Sequence, residues 1–330
     1  LYTLSTWHMT PETKKTIHNL SDNGVRKTYV DKNGVTQRCN SNIRLNTWVM
    51  GNEESIDKYI DELERNRNNV NIIIKPRLDK FLLELCSLKS LLNNNLKKGY
   101  IPQIYKQSTS GRLTGKGFHL INIKKKLRFI FFSDMGLYDY DISNCHYSLF
   151  SNLSRQNGYI TKGIDYYLDN KSEIRQMLSD DLDLSLKQVK EGLISIIYGN
   201  SIIRGNTSTT NSLYEKFKSV DVIKQFSEHN IIKRLISDIK EGSKLILGKT
   251  PVTKKNRYGE RIKNVIGSGK NIYNDKGRLI EDRKILSHIL TGWEVKLIEF
   301  INSIIDDKMI SLSYDGWVGE EIDVDYIENK

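Results

Sequence analysis

The sequence predicts an α+β protein whose strands and helices follow one another in mixed order. Apolar residues recur at helical spacing between about residues 53 and 92, again at about 185–197, and again at about 286–305. Short runs at 137–141 and 309–318 read as strands, the second folded back at an Asp-Gly pair. These elements do not alternate as βαβ units, which argues against a doubly wound parallel sheet.

Residues 1–52 mix turn signals (Asp22-Asn23-Gly24 and Asp31-Lys32-Asn33-Gly34) with short apolar stretches and read as a small hairpin appendage. From Glu53 the pattern turns helical, with Ile56, Tyr59, Ile60 and Leu63 at 3–4 spacing. After Pro76 a clearer stripe runs through Leu78, Phe81, Leu82, Leu85, Leu88, Leu91 and Leu92, closed by Asn93-Asn94-Asn95 and Gly99. Gly99 to Gly117 reads as a polar, basic loop. Leu127–Phe132 reads as a strand, Asp134-Met135-Gly136 as a turn and Leu137–Asp141 as a second strand. Cys145, Tyr147, Phe150 and Leu153 then begin a helix leaving that strand. A helix over Ser185–Ile197 precedes a long polar middle, 200–284. An amphipathic helix over Leu286–Ile305 leads into a hairpin, Met309–Ser313 and Trp317-Val318, with Tyr314-Asp315-Gly316 at its tip. Trp293 and Trp317 sit on apolar faces and read as core.

With 330 residues, 38% of them hydrophobic, the chain can bury one large core or two modest ones. No apolar run reaches the roughly 18–20 residues that cross a bilayer, so no membrane partner is expected. Leu1–Thr10 carries no signal-peptide h-region, and a cytoplasmic protein is expected. The chain starts without Met, as a fragment would. The three cysteines, Cys39, Cys86 and Cys145, are few and far apart, which argues against a disulfide scaffold and for a reducing compartment. No CxxC pair or histidine cluster suggests zinc. The formal net charge is +11, and a basic surface attracts polyanions, nucleic acid above all.

Two carboxylates end strands. Asp141 lies where a strand gives way to a helix, and Asp315 lies at the tip of a tight hairpin. Two aspartates held so at one sheet edge can bridge a pair of divalent ions about 3.5–4 Å apart, the arrangement that serves in-line phosphoryl transfer. Each alone is also an ordinary turn residue. On the helix before Tyr198-Gly199, at about 100° per residue, Lys187, Lys190, Ile194 and Tyr198 share one quadrant. Val189, Leu193 and Ile196 form a neighbouring packing face. Two ammonium groups, an aliphatic platform and a phenol suit a triphosphate and a base, although a solvated lysine face has the same pattern. Finally, Ser110-Gly111-Arg112-Leu113, Leu120-Ile121-Asn122-Ile123 and Lys124-Lys125-Lys126 make a basic stretch able to approach a phosphate backbone.

In this order the elements resemble the core of family A DNA polymerases and, more distantly, single-subunit phage-type RNA polymerases, over about Leu78 to Val318. The family's T-G-R-L, L-Q-N-I and R-x-x-F segments correspond to Ser110-Gly111-Arg112-Leu113, Leu120-Ile121-Asn122-Ile123 and Arg128-Phe129-Ile130-Phe131. Motif A, D-Y-S-Q-I-E, corresponds to Asp141-Ile142-Ser143-Asn144-Cys145-His146. The motif B lysine and its Tyr-Gly correspond to Lys190 and Tyr198-Gly199. Motif C corresponds to Tyr314-Asp315-Gly316, and the N-x-x-x-Q-G helix before it to Ser287–Gly292.

The resemblance implies a right-hand polymerase fold with an antiparallel palm sheet and helical fingers and thumb. On that pattern 1–52 is an N-terminal appendage, 53–110 thumb-like, 111–180 and 284–330 palm, and 181–283 fingers. It implies a DNA-directed DNA polymerase working in replication on a primer-template with nucleoside triphosphates, alongside further replication subunits. A phage, plasmid, other mobile element or organelle would suit such a core. Asp141 and Asp315, with the Ile142 carbonyl, would hold two Mg²⁺ ions, for which Mn²⁺ substitutes. Lys190 would grip the triphosphate, with Lys187, Ile194, Tyr198, Gly199 and His146 around the nucleotide. Arg112, Asn122, Arg128, Lys124 and Lys125 would contact nucleic acid.

The chain also departs from the pattern. Leu186 stands where the family has a second basic residue, and Lys187 on the same face takes its place. His146 replaces the glutamate that excludes ribose, and its bulk still favours deoxynucleotides. Motif C lacks its histidine and second acid, which leaves Asp139, on the same strand face as Asp141, as a further ligand. An RNA polymerase or primase on the same palm and a catalytically decayed nucleic-acid-binding subunit are the alternatives.

Overall fold

Where the chain can bury its apolar faces decides its architecture. The computed structural model describes residues 28–30, 36–38, 43, 45, 47–95, 97–108, 110–115, 119–256, 259–273, 282–305, 308–313, 316–324 and 327. They form an α+β protein of α-helices and small antiparallel sheets of two or three strands. The chain divides into two compact units, residues 1–142 with 297–330 and residues 143–296. Among the described residues no helix is long and apolar enough to cross a membrane.

The first unit opens with a hairpin, β1 (Thr28–Val30) and β2 (Thr36–Arg38), followed by β3 (Trp48–Met50). Helix α1 (Glu53–Asn66) starts at Asn52, whose side-chain oxygen accepts the Ser55 N–H, and packs on α2 (Lys75–Asn94). Strand β4 (Tyr100–Pro102) pairs with β3, and β5 (Tyr105–Gln107) with β6 (Leu113–Gly115). The stretch read as a basic loop therefore holds three short strands, and Gly111 turns β5 into β6 at φ +99°. Ile43, Leu45 and Val49 are buried, so the segment before residue 52 contributes core to this unit.

One expected strand is a helix. Leu127–Phe132 falls on α3 (Lys125–Phe131), where Leu127, Ile130 and Phe131 are buried at i, i+3 and i+4 while Phe129 points out, 67% exposed. The run is β-prone in composition, but its burial has helical period, and packing outweighs propensity. Strand β7 (Tyr138–Asp141) follows as expected.

The second unit is mainly helical: α4 (Cys145–Gln156), α5 (Lys162–Asp169), α6 (Lys171–Leu182), α7 (Leu186–Ile197), α8 (Tyr214–Phe217), α9 (Val220–Glu228) and α10 (Asn230–Lys249). A meander of β8 (Val252–Asn256), β9 (Gly259–Lys263) and β10 (Gly269–Asn271) follows. The polar middle is thus largely regular structure. In α10, for example, Ile232, Leu235, Ile239 and Ile246 are buried and join the unit's core. Helix α11 (Asp282–Ile305) contributes to this unit as far as Lys296 and to the first unit beyond it. Trp293 packs against the second core, as expected.

The first unit closes with β11 (Met309–Ser313) and β12 (Gly316–Gly319), which join β7 in a sheet of order β11-β12-β7. Trp317 is buried and stacks on its register partner Tyr140, ring centroids 5.1 Å apart. The Tyr140 hydroxyl accepts the Ile322 N–H and donates to the Glu320 carbonyl. Tyr105 ties β5 to the same sheet, its hydroxyl accepting the Leu312 N–H at 3.0 Å. Burial of that phenol pushes its pKa up to about 12.

Candidate functional site

Asp141 is the last residue of β7, and its antiparallel register partner is Gly316, the first residue of β12. Cα atoms of such partners lie about 4.5–5.5 Å apart. Asp315 lies outside the described residues, and Gly316 is its chain neighbour. Gly316 has a local reason to be glycine. A Cβ there would sit 2.2 Å from the Tyr140 carbonyl oxygen, so a side chain would push β12 off β7. Asp141 is exposed, whereas the Ile142 side chain packs into the core beneath. Glu320 follows the last residue of β12, four residues from Gly316 and roughly 13 Å away at the rise of a strand, and so belongs to the other end of the sheet.

Three of the basic residues expected nearby, Lys124, Lys125 and Arg128, are held by carboxylates. Asp139 shares the strand face of Asp141 and meets Lys125 Nζ at 3.0 Å and Arg128 Nη2 at 3.8 Å. Lys124 Nζ pairs with the buried Glu84 at 2.7 Å and lies over the Phe81 ring. Lys125 is 81% exposed, so its pair is weak and open to exchange for another anion. Asn122 is exposed in a 3₁₀ turn, Leu120–Asn122. Arg112 is half-buried in the β5–β6 turn, where its carbonyl accepts the Ser108 N–H. Lys125 and Arg128 are thus brought to β7 through Asp139.

The second unit holds the other expected residues. Helix α7 begins in a capping box, Ser185 with Gln188, which satisfies its first free N–H groups. Val189, Leu193 and Ile196 are buried, and Lys187, Lys190, Ile194 and Tyr198 are exposed along one side. Leu186, in the place of a missing basic residue, is also exposed. Gly199 ends the helix at φ +75°, and a Cβ there would meet Arg283 Cβ at 2.2 Å. The left-handed backbone and this close approach both call for glycine.

His146, in the first turn of α4, is buried. Its Nε2–H donates to Glu294 Oε2 at 2.6 Å, and its ring lies 4.9 Å from that of Tyr198. Among the described residues its Nδ1 is buried without a partner. The start of α4 is braced by α6, through Lys171 Nζ to Ser143 Oγ at 2.7 Å and Arg175 Nη2 to Asn144 Oδ1 at 2.8 Å. Asn144 itself turns the chain at φ +50°. Glu294, only 1% exposed, escaped the sequence reading because its partner lies 148 positions away. The only hint was an acid in an otherwise apolar stretch of helix.

A metal ion finds a limited donor set. Among the described residues no group of three or more His, Cys, Asp or Glu side chains is arranged to hold one. No protein-family model and no curated protein matches the chain.

Proposed function

We propose that the protein is a template-directed nucleotidyltransferase of the right-hand polymerase type, extending a DNA primer with deoxynucleotides. One observation carries the reading. Asp141 pairs in antiparallel register with Gly316, the chain neighbour of Asp315, although some 170 positions separate them in the chain. Mg²⁺ is commonly held by only one or two carboxylates, with water and substrate phosphates completing its shell, and Asp141 with Asp315 fits that habit. Bound there, such ions would supply charge stabilisation for the transferring phosphoryl group and a more acidic primer hydroxyl.

The chain's own residues have separate tasks. Asp141 and Asp315 are the metal ligands, with the Ile142 carbonyl beside them. Lys190 and Lys187 bind the triphosphate as point charges. Tyr198, held against His146, offers a ring to the base and sugar, and the bulk of His146 disfavours a 2′-hydroxyl. Arg112, Asn122, Lys124, Lys125 and Arg128 serve the nucleic-acid backbone.

Primer extension with separate dNTP and NTP pools, with and without Mg²⁺, tests the reading. Magnesium-dependent extension with dNTPs is expected. Asp141→Ala should lower its rate by about 1000-fold, roughly 4 kcal/mol of barrier. Extension with NTPs alone would favour an RNA polymerase or primase. No extension by the intact protein, or full activity in Asp141→Ala, would overturn the proposal.

A further inference from the structure

A cavity of about 430 Å³ opens in the second unit, walled by the 3₁₀ turn Ser201–Arg204, α10 and the start of α11. Its volume lies within the roughly 300–1,000 Å³ of small-molecule sites and is far too small for a duplex. Its floor is apolar: Ile239 and Leu286 are buried, and Ile203 and Leu247 pack against the same core. Among the described residues its rim is cationic, with Arg204, Lys240, Lys244 and Arg283 beside one carboxylate, Asp282.

Lys240 and Lys244, at i and i+4, lie on one face of α10. The contact of Lys244 with Glu241, 2.7 Å, joins two exposed side chains and yields readily to another anion. Arg283 also borders a second hollow of about 250 Å³, lined by Tyr198, Lys270, Lys284 and Ser287. There Lys270 has its pKa lowered, first by burial and then by the charge of Lys284. An anion between these two ammonium groups would relieve both.

We propose that the cavity seats one unpaired base of a single-stranded nucleic acid, with Arg204, Lys240, Lys244 and Arg283 on the flanking phosphates. An aliphatic floor under a cationic rim, continued by the exposed Tyr198 ring and further cations, suits a single strand: the floor takes a base out of water while the cations follow the backbone. An acidic peptide would use the rim and leave the floor uncovered. The site is independent of the metal chemistry proposed above.

Fluorescence anisotropy with a short labelled oligodeoxythymidine tests it in the full chain. Lys240→Ala/Lys244→Ala should weaken binding about tenfold at low salt and flatten the salt dependence by about 1.4 log units per decade, at roughly 0.7 per phosphate contact. Ser243→Trp fills the cavity without altering a charge. It should weaken the normal oligonucleotide at least about fivefold, as loss of one buried base would, and leave a fully abasic one unaffected. Unchanged binding in the double-lysine variant, with a native circular dichroism spectrum, would overturn the proposal even if Ser243→Trp fails to fold. Equal affinity for dTMP would reassign the cavity to free nucleotides, and equal affinity for duplex would reassign the rim to backbone contact. Either result sinks the single-strand site. Asp141→Ala should bind the oligonucleotide like the parent, so loss of extension and failure of the cavity are read separately.

Discussion

At the acidic edge of the first unit, Asp141 is placed by strand pairing: it ends β7, pairs in register with Gly316 and exposes its side chain. In the second unit His146 and Tyr198 are positioned by buried side chains, through the His146–Glu294 hydrogen bond and the ring contact. Substitution should therefore separate the regions. At the edge the strand ladder that carries the carboxylate remains when the side chain is removed. At the helix face the group that holds is itself polar and buried, and losing it costs stability as well as function.

The largest expected effect tests that contrast directly. Glu294→Ala leaves a buried imidazole with no partner for either ring nitrogen, and should cost about 3 kcal/mol in denaturant unfolding. Asp141→Ala, exposed at a strand end, should stay within about 0.5 kcal/mol of the parent. Similar losses in both would mean that the acidic edge is also held by its side chain.

How much of this was legible in the sequence depended on whether position or partnership mattered. The α7 face was readable, because a 3.6-residue period puts Lys187, Lys190, Ile194 and Tyr198 on one side whatever surrounds the helix. The strand ending at Asp141 and the return of Met309–Ser313 into Trp317-Val318 were readable from alternation around an Asp-Gly pair. Leu127–Phe132 misled because the seven residues of α3 hold barely two turns, too few for period to outweigh a β-prone composition. The cavity was hidden because Lys240 and Lys244 look like solvated lysines until Ile239 and Leu247 are seen to floor the space beside them. No local pattern announces the Glu294–His146 pair.

Two smaller effects probe the backbone side of the comparison. Gly316→Ala sets a methyl 2.2 Å from the Tyr140 carbonyl oxygen and should cost about 2 kcal/mol as the strands shift. Because that shift moves Asp141 relative to its partner strand, primer extension should fall along with stability. If stability falls while extension holds, the register is not what serves the chemistry. The same unit carries an acid-labile point. His119 is fully buried, its Nδ1 accepts the Ile121 N–H, and burial lowers its pKa from 6.5 to about 3. A folded pKa below the unfolded one makes the native state favour neutral imidazole. Stability is then whole above 6.5 and drains as pH falls towards 3. Between pH 8 and pH 5 the loss should be about 2 kcal/mol, and His119→Phe should flatten that slope in urea midpoints.

The smallest effect concerns the lysines of α7, where the contrast becomes kinetic. Lys190 and Lys187 are exposed, and alanine suits a helix, so neither Lys→Ala change should alter stability by more than about 0.5 kcal/mol. If they grip the triphosphate in ground state and transition state alike, their loss raises KM and leaves kcat in place. Lys190→Ala should raise the dNTP KM about tenfold, near 1.4 kcal/mol, and Lys187→Ala about threefold. Asp141→Ala acts on kcat instead. Should Lys190→Ala lower kcat at constant KM, the lysine would be acting on the reacting phosphoryl group and the division of labour drawn here would fail. Should neither lysine matter, the face of α7 is a solvated surface, and the nucleotide is held elsewhere.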